Sequence, residues 1–213
     1  MLQVIAIITM FLDHLGVLFN LSVLRCVGRL AMPIYAYLLS VSVNKTSNLD
    51  KYTIRLAFLG FLTQIPYYLF IGESRCNVVF VWFLCALLVF THRECKKKSM
   101  QIFIYFLCIC FLLGGMKFDY GFIGVLWFFF FYILFQKDNI KAFYILGFIA
   151  FIYIAFQSYI ELFALLSIPL IYLSRKYNLD RLKNAKFNLI YRWFYPGHFV
   201  FLDVFKMLLG STA

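Results

Sequence analysis

Charge is scarce in this chain, and acid is scarcer than base. Only 14% of the 213 residues are charged, nine Asp and Glu against 20 Lys and Arg. A soluble domain carries about 25% charged residues, so this chain lacks the polar groups to cover a water-facing surface, and lipid must do part of the covering. No Pro-, Gly- or Ser-rich linker interrupts the apolar runs and no internal repeat is present, which excludes a string of domains and makes residues 1–213 one unit. The six cysteines contain no CxxC pair, and no His, Cys or carboxylate spacing argues for a structural metal. Nor is the net charge of +11 a nucleic-acid footprint. The basic residues lie in short blocks between apolar runs, without aromatic interleaving on a soluble face.

What is abundant is apolar bulk: 64% of residues are hydrophobic, and the 28 Phe and 15 Tyr suit lipid-facing surface and an interface belt. A helix needs about 20 residues, at about 1.5 Å each, to cross a hydrocarbon core of about 30 Å. About nine runs qualify, so the expected fold is an all-α, polytopic membrane helix bundle in a lipid bilayer. They are Leu2 to Phe19, Ser22 to Val43, Tyr52 to Ile71, Val78 to Phe90, Met100 to Gly114, Tyr120 to Phe135, Ala142 to Phe156, Ile160 to Ser174, and Phe194 to Leu209. The first run lacks a basic n-region and a small-x-small cleavage site and holds Asp13 and His14, so it is expected to be retained rather than cleaved.

Lys and Arg accumulate in cytoplasmic loops. The even connections carry Lys45 and Lys51; Arg93, Lys96, Lys97 and Lys98; Lys137 and Lys141; and Arg175, Lys176, Arg181, Lys183, Lys186 and Arg192. The odd connections carry only Arg25, Arg75 and Lys117. This asymmetry predicts a cytoplasmic N-terminus and, with nine spans, an outer C-terminus. Cys26 and Cys76 then fall near the outer face, where a disulfide is chemically permitted.

Ionisable residues inside spans cost about 2.5 to 3.5 kcal/mol each on insertion scales, so each needs a partner or a task. They are Asp13 and His14, Arg29, Arg55, and His198, Asp203 and Lys206 in the last run. Consecutive helical residues point about 100° apart, so Asp13 and His14 are not a ready-made dyad. Both lie about 18 Å in from the cytoplasmic end, and Arg29, spaced i, i+4 from Arg25, descends to a similar depth. An Asp13 to Arg29 ion pair follows, serving either to tie two helices or to do chemistry. A lone buried His is usually a satisfied core residue. A second, His198 within Tyr195-Pro196-Gly197-His198, favours proton transfer. Pro33 and Pro66 are expected to kink their spans, with Gln64 satisfying freed backbone groups. Arg75, Asn77, Asp119, Tyr120 and Gly121 gather on the outer side.

These blocks resemble a known family. Ile5-Ala6-Ile7-Ile8-Thr9-Met10-Phe11-Leu12-Asp13-His14, then Gly28-Arg29-Leu30-Ala31-Met32-Pro33-Ile34-Tyr35-Ala36, look like the start of TraX proteins, the conjugative pilin acetylases. Arg55 with Gln64-Ile65-Pro66-Tyr67-Tyr68, then Asn77-Val78-Val79-Phe80, Tyr120-Gly121-Phe122-Ile123-Gly124-Val125-Leu126 and Phe194-Tyr195-Pro196-Gly197-His198 follow in order. The stretches from Lys96 to Cys110 and from Lys137 to Lys186 match only in hydropathy.

The resemblance implies a bacterial inner-membrane acetyltransferase that takes acetyl from acetyl-CoA and places it on the N-terminal amine of a pilin subunit. More loosely, it brings in the family-3 O-acetylases and the lysosomal glucosamine N-acetyltransferase, which also place an essential His in an early span. The expected catalytic set is His14, Asp13 and His198, with His14 as the base, Asp13 or Arg29 setting its environment, and His198 as helper or alternate base. The substrate or oxyanion set is Arg29, Arg25, Asn77, Tyr120 and Arg55, and no metal is expected. The competing expectation is non-enzymatic, a pilus-assembly scaffold or a small transporter. A carrier would usually show repeated halves with broken helices in matching positions, and none is apparent.

Overall fold

In the computed structural model, residues 1–113, 117–136, 159–177 and 185–209 are described, and among them the secondary structure is helical with no strand. The helices are α1 (Leu2–Leu18), α2 (Ser22–Gly28), α3 (Ala31–Lys45), α4 (Leu49–Ile71), α5 (Val78–Glu94), α6 (Lys98–Leu113) and α7 (Gly121–Gln136). A 3₁₀ segment, η1 (Tyr159–Leu166), runs directly into α8 (Ser167–Lys176), and α9 (Ala185–Leu208) closes the described chain.

Two stretches, Ser22–Lys45 and Leu49–Ile71, are long and apolar enough to cross a membrane by themselves. The outward faces agree with a lipid environment. Ile54, Phe58, Phe61 and Ile65 of α4, and Ile102, Phe103, Phe106 and Ile109 of α6, are all exposed. Water would penalise such apolar surface and hydrocarbon does not. The chain is a membrane protein.

Among the described residues helices stand where the apolar runs place them, with four differences, the first being that the run from Ile160 to Ser174 opens as the 3₁₀ segment η1. The second run is two helices that abut at Arg29 and Leu30, where Leu30 N–H turns back to the Val27 carbonyl in a tighter, 3₁₀-like step. Pro33 sits in the first turn of α3, where its missing N–H costs little, instead of kinking a span at mid-length. The last helix begins at Ala185, nine residues before the expected start at Phe194. The run from Ala142 to Phe156 lies outside the described residues.

Close helix approach positions the site. α1 and α2 form an antiparallel pair, joined by a short turn through Asn20 at φ 55°. A Cβ added at Gly28 would lie 2.6 Å from both the Cα and the Oδ1 of Asp13, so only glycine lets the two backbones meet there. Replacing Gly28 with Ala is expected to destabilise the fold by about 1 to 3 kcal/mol, as overpacking generally does, and to displace Asp13. Thermal unfolding in detergent checks this, and an unchanged transition refutes the tight contact.

Around that pair, α3 packs on α7, α4 on α5, and α9 against α1 and α4. One end of the bundle is closed by polar bonds from the Arg93 guanidinium to the Val43 carbonyl at 3.2 Å and the Asn44 side-chain oxygen at 2.8 Å. At the opposite end Cys76 pairs with Phe118. Cys76 N–H donates to the Lys117 carbonyl, and Asp119 N–H to the Cys76 carbonyl, each at 2.8 Å. All six cysteines are free thiols, so the permitted Cys26–Cys76 disulfide is not formed.

Candidate functional site

The membrane-embedded ionisable residues are not scattered. Arg29 leaves the α2–α3 junction and its guanidinium lies 3.3 Å from Asp13 Oδ1 on α1 and 3.0 Å from Glu161 Oε1 on η1, and donates to the Tyr120 hydroxyl at 2.9 Å. Arg29 is 6% exposed and Asp13 6%, so the ion pair expected from depth alone exists and is desolvated. Arg25 stands beside the same two carboxylates. Two cations then face Asp13 and Glu161, a charge-balanced arrangement that a low-dielectric interior requires.

His14, one residue from Asp13, points away from this cluster toward α9. Its Nδ1 is 3.1 Å from Nε2 of His198. The Nδ1 of His198 is 3.0 Å from the Phe194 carbonyl, which can only accept. In the neutral pair His198 therefore carries its hydrogen on Nδ1 and offers a bare Nε2, to which His14 Nδ1–H donates. The remaining lone pair of the couple is on His14 Nε2. Aromatic rings hold this register: Phe199 packs edge-on to His14 with centroids 4.7 Å apart, and Phe194 stacks on His198 at 5.3 Å.

Two cavities meet at this point. The larger, about 630 Å³, starts beside Gly28 of α2 and follows α3 from Ala31 to Lys45, about 21 Å at about 1.5 Å per residue, and is lined at its far end by Lys45, Arg55 and Arg192. The smaller, about 560 Å³, lies at the opposite end among Arg25, Glu73, Arg75 and Glu161. Asp13, His14, Asp119 and Tyr120 line both. Within the larger cavity the Tyr35 hydroxyl is buried with no hydrogen-bond partner among the described residues, and its ring stacks on Tyr191 at 5.7 Å.

Sequence comparison bears on the same residues, since residues 1–206 match the family model described as TraX protein. The chain belongs to the TraX family. It is also similar to a curated protein of Dichelobacter nodosus described as "Probable fimbrial assembly protein FimC, serogroup H1", 41% identical over 73 residues, which is 32% of this chain and 30% of that protein. The chain therefore aligns with less than a third of that relative's length. No solved structure matches.

The TraX fold brings together Asp13, His14, Arg25, Arg29, Tyr120 and His198, and sets two expected site residues elsewhere. Asn77 donates both amide hydrogens, to the Gly60 carbonyl at 2.8 Å and to Gln64 Oε1 at 2.9 Å, and its oxygen caps α5 by accepting from Val79 N–H at 3.0 Å. No donor is left for an oxyanion, so Asn77 is a structural cap. Gln64 also departs from expectation. It ties the 72–77 segment to α4, through the Arg75 carbonyl at 2.7 Å and Asn77 N–H at 3.0 Å, and does not serve the backbone freed by Pro66. Arg55 is far from the imidazoles, at the basic end of the larger cavity, its Nε donating to the Lys51 carbonyl at 3.2 Å.

Two residues were missed. Glu161 is the one acid within its apolar run, so the rule that singled out Asp13 singles it out too. Asp119 reads in sequence as an ordinary loop acid. Only the fold shows it turned to the cavity junction, beside Tyr120 at φ 59°, a left-handed conformation that is strained for a tyrosine.

Proposed function

We propose that this TraX-family protein is a multi-pass inner-membrane acetyltransferase that moves acetyl from acetyl-CoA to the N-terminal amine of a pilin subunit. One observation carries the reading: His14, in contact with His198 through Nδ1, lines both cavities where they meet between opposite ends of the bundle. The end bearing Lys45, Arg55 and Arg192 is taken as cytoplasmic by the positive-inside rule, with the N-terminus on that side and about nine spans. The name of the fimbrial-assembly relative fits a pilin-related partner.

The larger cavity suits the donor. Cations at its mouth match the nucleotide phosphates, and its length suits a pantetheine arm. The unpartnered Tyr35 hydroxyl offers that arm's amides a hydrogen bond. The acceptor enters the smaller cavity. As the amine nitrogen bonds to the thioester carbon, His14 Nε2 takes its proton and returns one to the departing thiolate. The tetrahedral intermediate needs a donor at its oxyanion. Tyr120 supplies it, because its oxygen already accepts from Arg29 and its own hydrogen is left to donate.

The test is transfer of labelled acetyl from acetyl-CoA to a peptide carrying a pilin N-terminus, with protein reconstituted in lipid vesicles. Label on the peptide's α-amine is the expected result. Intact donor and no binding of acetyl-CoA overturn the proposal in favour of a pilus-assembly scaffold.

A further inference from the structure

Acylating an amine at neutral pH raises a proton problem that one histidine does not solve. The acceptor arrives as R–NH₃⁺, because an α-amino group titrates near about 7.7 to 8.0. It leaves as a neutral amide, so nitrogen loses two protons in all. One must go before attack, to free the lone pair, and the second is lost as the carbon–nitrogen bond forms. The second proton, held on His14 Nε2, is returned to the thiolate as the carbon–sulfur bond breaks. The first has no receiver among the groups assigned so far.

We infer that Asp119 binds the acceptor's ammonium group at the junction of the two cavities and receives its first proton, releasing it to the outer water through the smaller cavity. The inference rests on the acetyltransferase reading. Asp119 lines both cavities, as His14 does. Its backbone is held in place by the Asp119 N–H bond to the Cys76 carbonyl. Asp13 and Glu161 are ion-paired with Arg29, whereas the Asp119 carboxylate makes no hydrogen bond or ion pair with another described side chain. Of the two carboxylates that line both cavities, Asp13 and Asp119, it is thus the one with no ion-pair partner among the described residues. Arg29 and Arg75 act on it favourably, Asp13 and Glu161 unfavourably, and the phenols of Tyr67, Tyr120 and Tyr195 lie within its electrostatic reach.

Burial raises the Asp119 carboxyl to about 6, the Arg29 charge partly opposing this. Such a group is ionised at pH 7, able to hold an ammonium, and basic enough to take a proton from it transiently. Below about pH 6 it is protonated and binding weakens, so kcat/KM for the peptide falls along an acidic limb near that value.

The experiment compares wild type, Asp119→Asn and Asp119→Glu in the vesicle assay, varying peptide and acetyl-CoA separately across pH. Asp119→Asn is expected to raise KM for the peptide about 10-fold to 100-fold at pH 7, the range for a lost charge-assisted contact, and to leave KM for acetyl-CoA unchanged. Its acidic limb should move up toward the amine's own titration near about 8, so that the deficit closes at higher pH. Asp119→Glu should recover part of the loss. A wild-type peptide KM and limb in the Asn variant overturns the inference, as does an equal loss at every pH. A wild type that transfers nothing overturns the acetyltransferase reading itself, which keeps the two failures apart.

Discussion

Replacing His14 with Ala should lower acetyl transfer by about 10² to 10⁴-fold, the range for removal of a positioned general base, while insertion and thermal stability stay near wild type. The stability half follows from the geometry. His14 forms no ion pair among the described residues, and its hydrogen bonds are to a second imidazole that keeps its own bond to the Phe194 carbonyl and to the Met10 backbone of its own helix. Unlike the Asp119 variant, His14→Ala should gain nothing from raising the pH, because a preformed free amine still has to shed its second proton during attack. Single-turnover transfer, measured with donor and peptide both saturating, checks this. Retained transfer removes His14 from the chemistry and leaves the cavities without a base.

His198 enters that result indirectly. It fixes which nitrogen of His14 carries hydrogen, and an amide at the same position can do this through one carbonyl and one N–H. A His198→Asn variant that keeps more activity than His198→Ala would identify the role as orientation of the tautomer.

How much of this was legible in the sequence depends on the kind of residue. The helices and the membrane environment follow from apolar run length, and Asp13 with Arg29 follows from depth, since a buried charge needs an opposite one nearby. The histidine couple was suspected but not derivable. It depends on α9 running parallel to α1, with Phe11 against Phe194 and Phe19 against Phe205, so that residues 184 positions apart come within 3.1 Å, and no local pattern encodes that pairing. Asn77 misled because a polar residue at a helix start serves equally as cap or ligand, and only its bonds to Gly60 and Gln64 decide. Asp119 was overlooked for the opposite reason: loop acids are normally solvated, and its turn toward the cavity is imposed by the pairing of Cys76 with Phe118.

Arg29 carries the largest structural prediction. Its guanidinium holds carboxylates from α1 and η1 and the hydroxyl of Tyr120, so its loss leaves Asp13 and Glu161 facing each other in a desolvated site with only Arg25 beside them. Removing one partner of a buried ion pair typically costs about 3 to 5 kcal/mol, because the remaining charge is uncompensated. Arg29→Met is expected to fall in that range. Arg29→Lys keeps the charge but lacks the fork that reaches three partners at once, and should lie between Met and wild type. Neutralising a carboxylate in the same chain, as in Arg29→Met with Asp13→Asn, should recover part of the loss, since the cost resides in the stranded charge more than in the missing bond. Reversible unfolding of the four proteins in mixed micelles supplies the comparison. A Met variant as stable as wild type would show that water or a lipid headgroup compensates the stranded carboxylates, and the reading of this cluster as a desolvated ion-pair site would have to be abandoned.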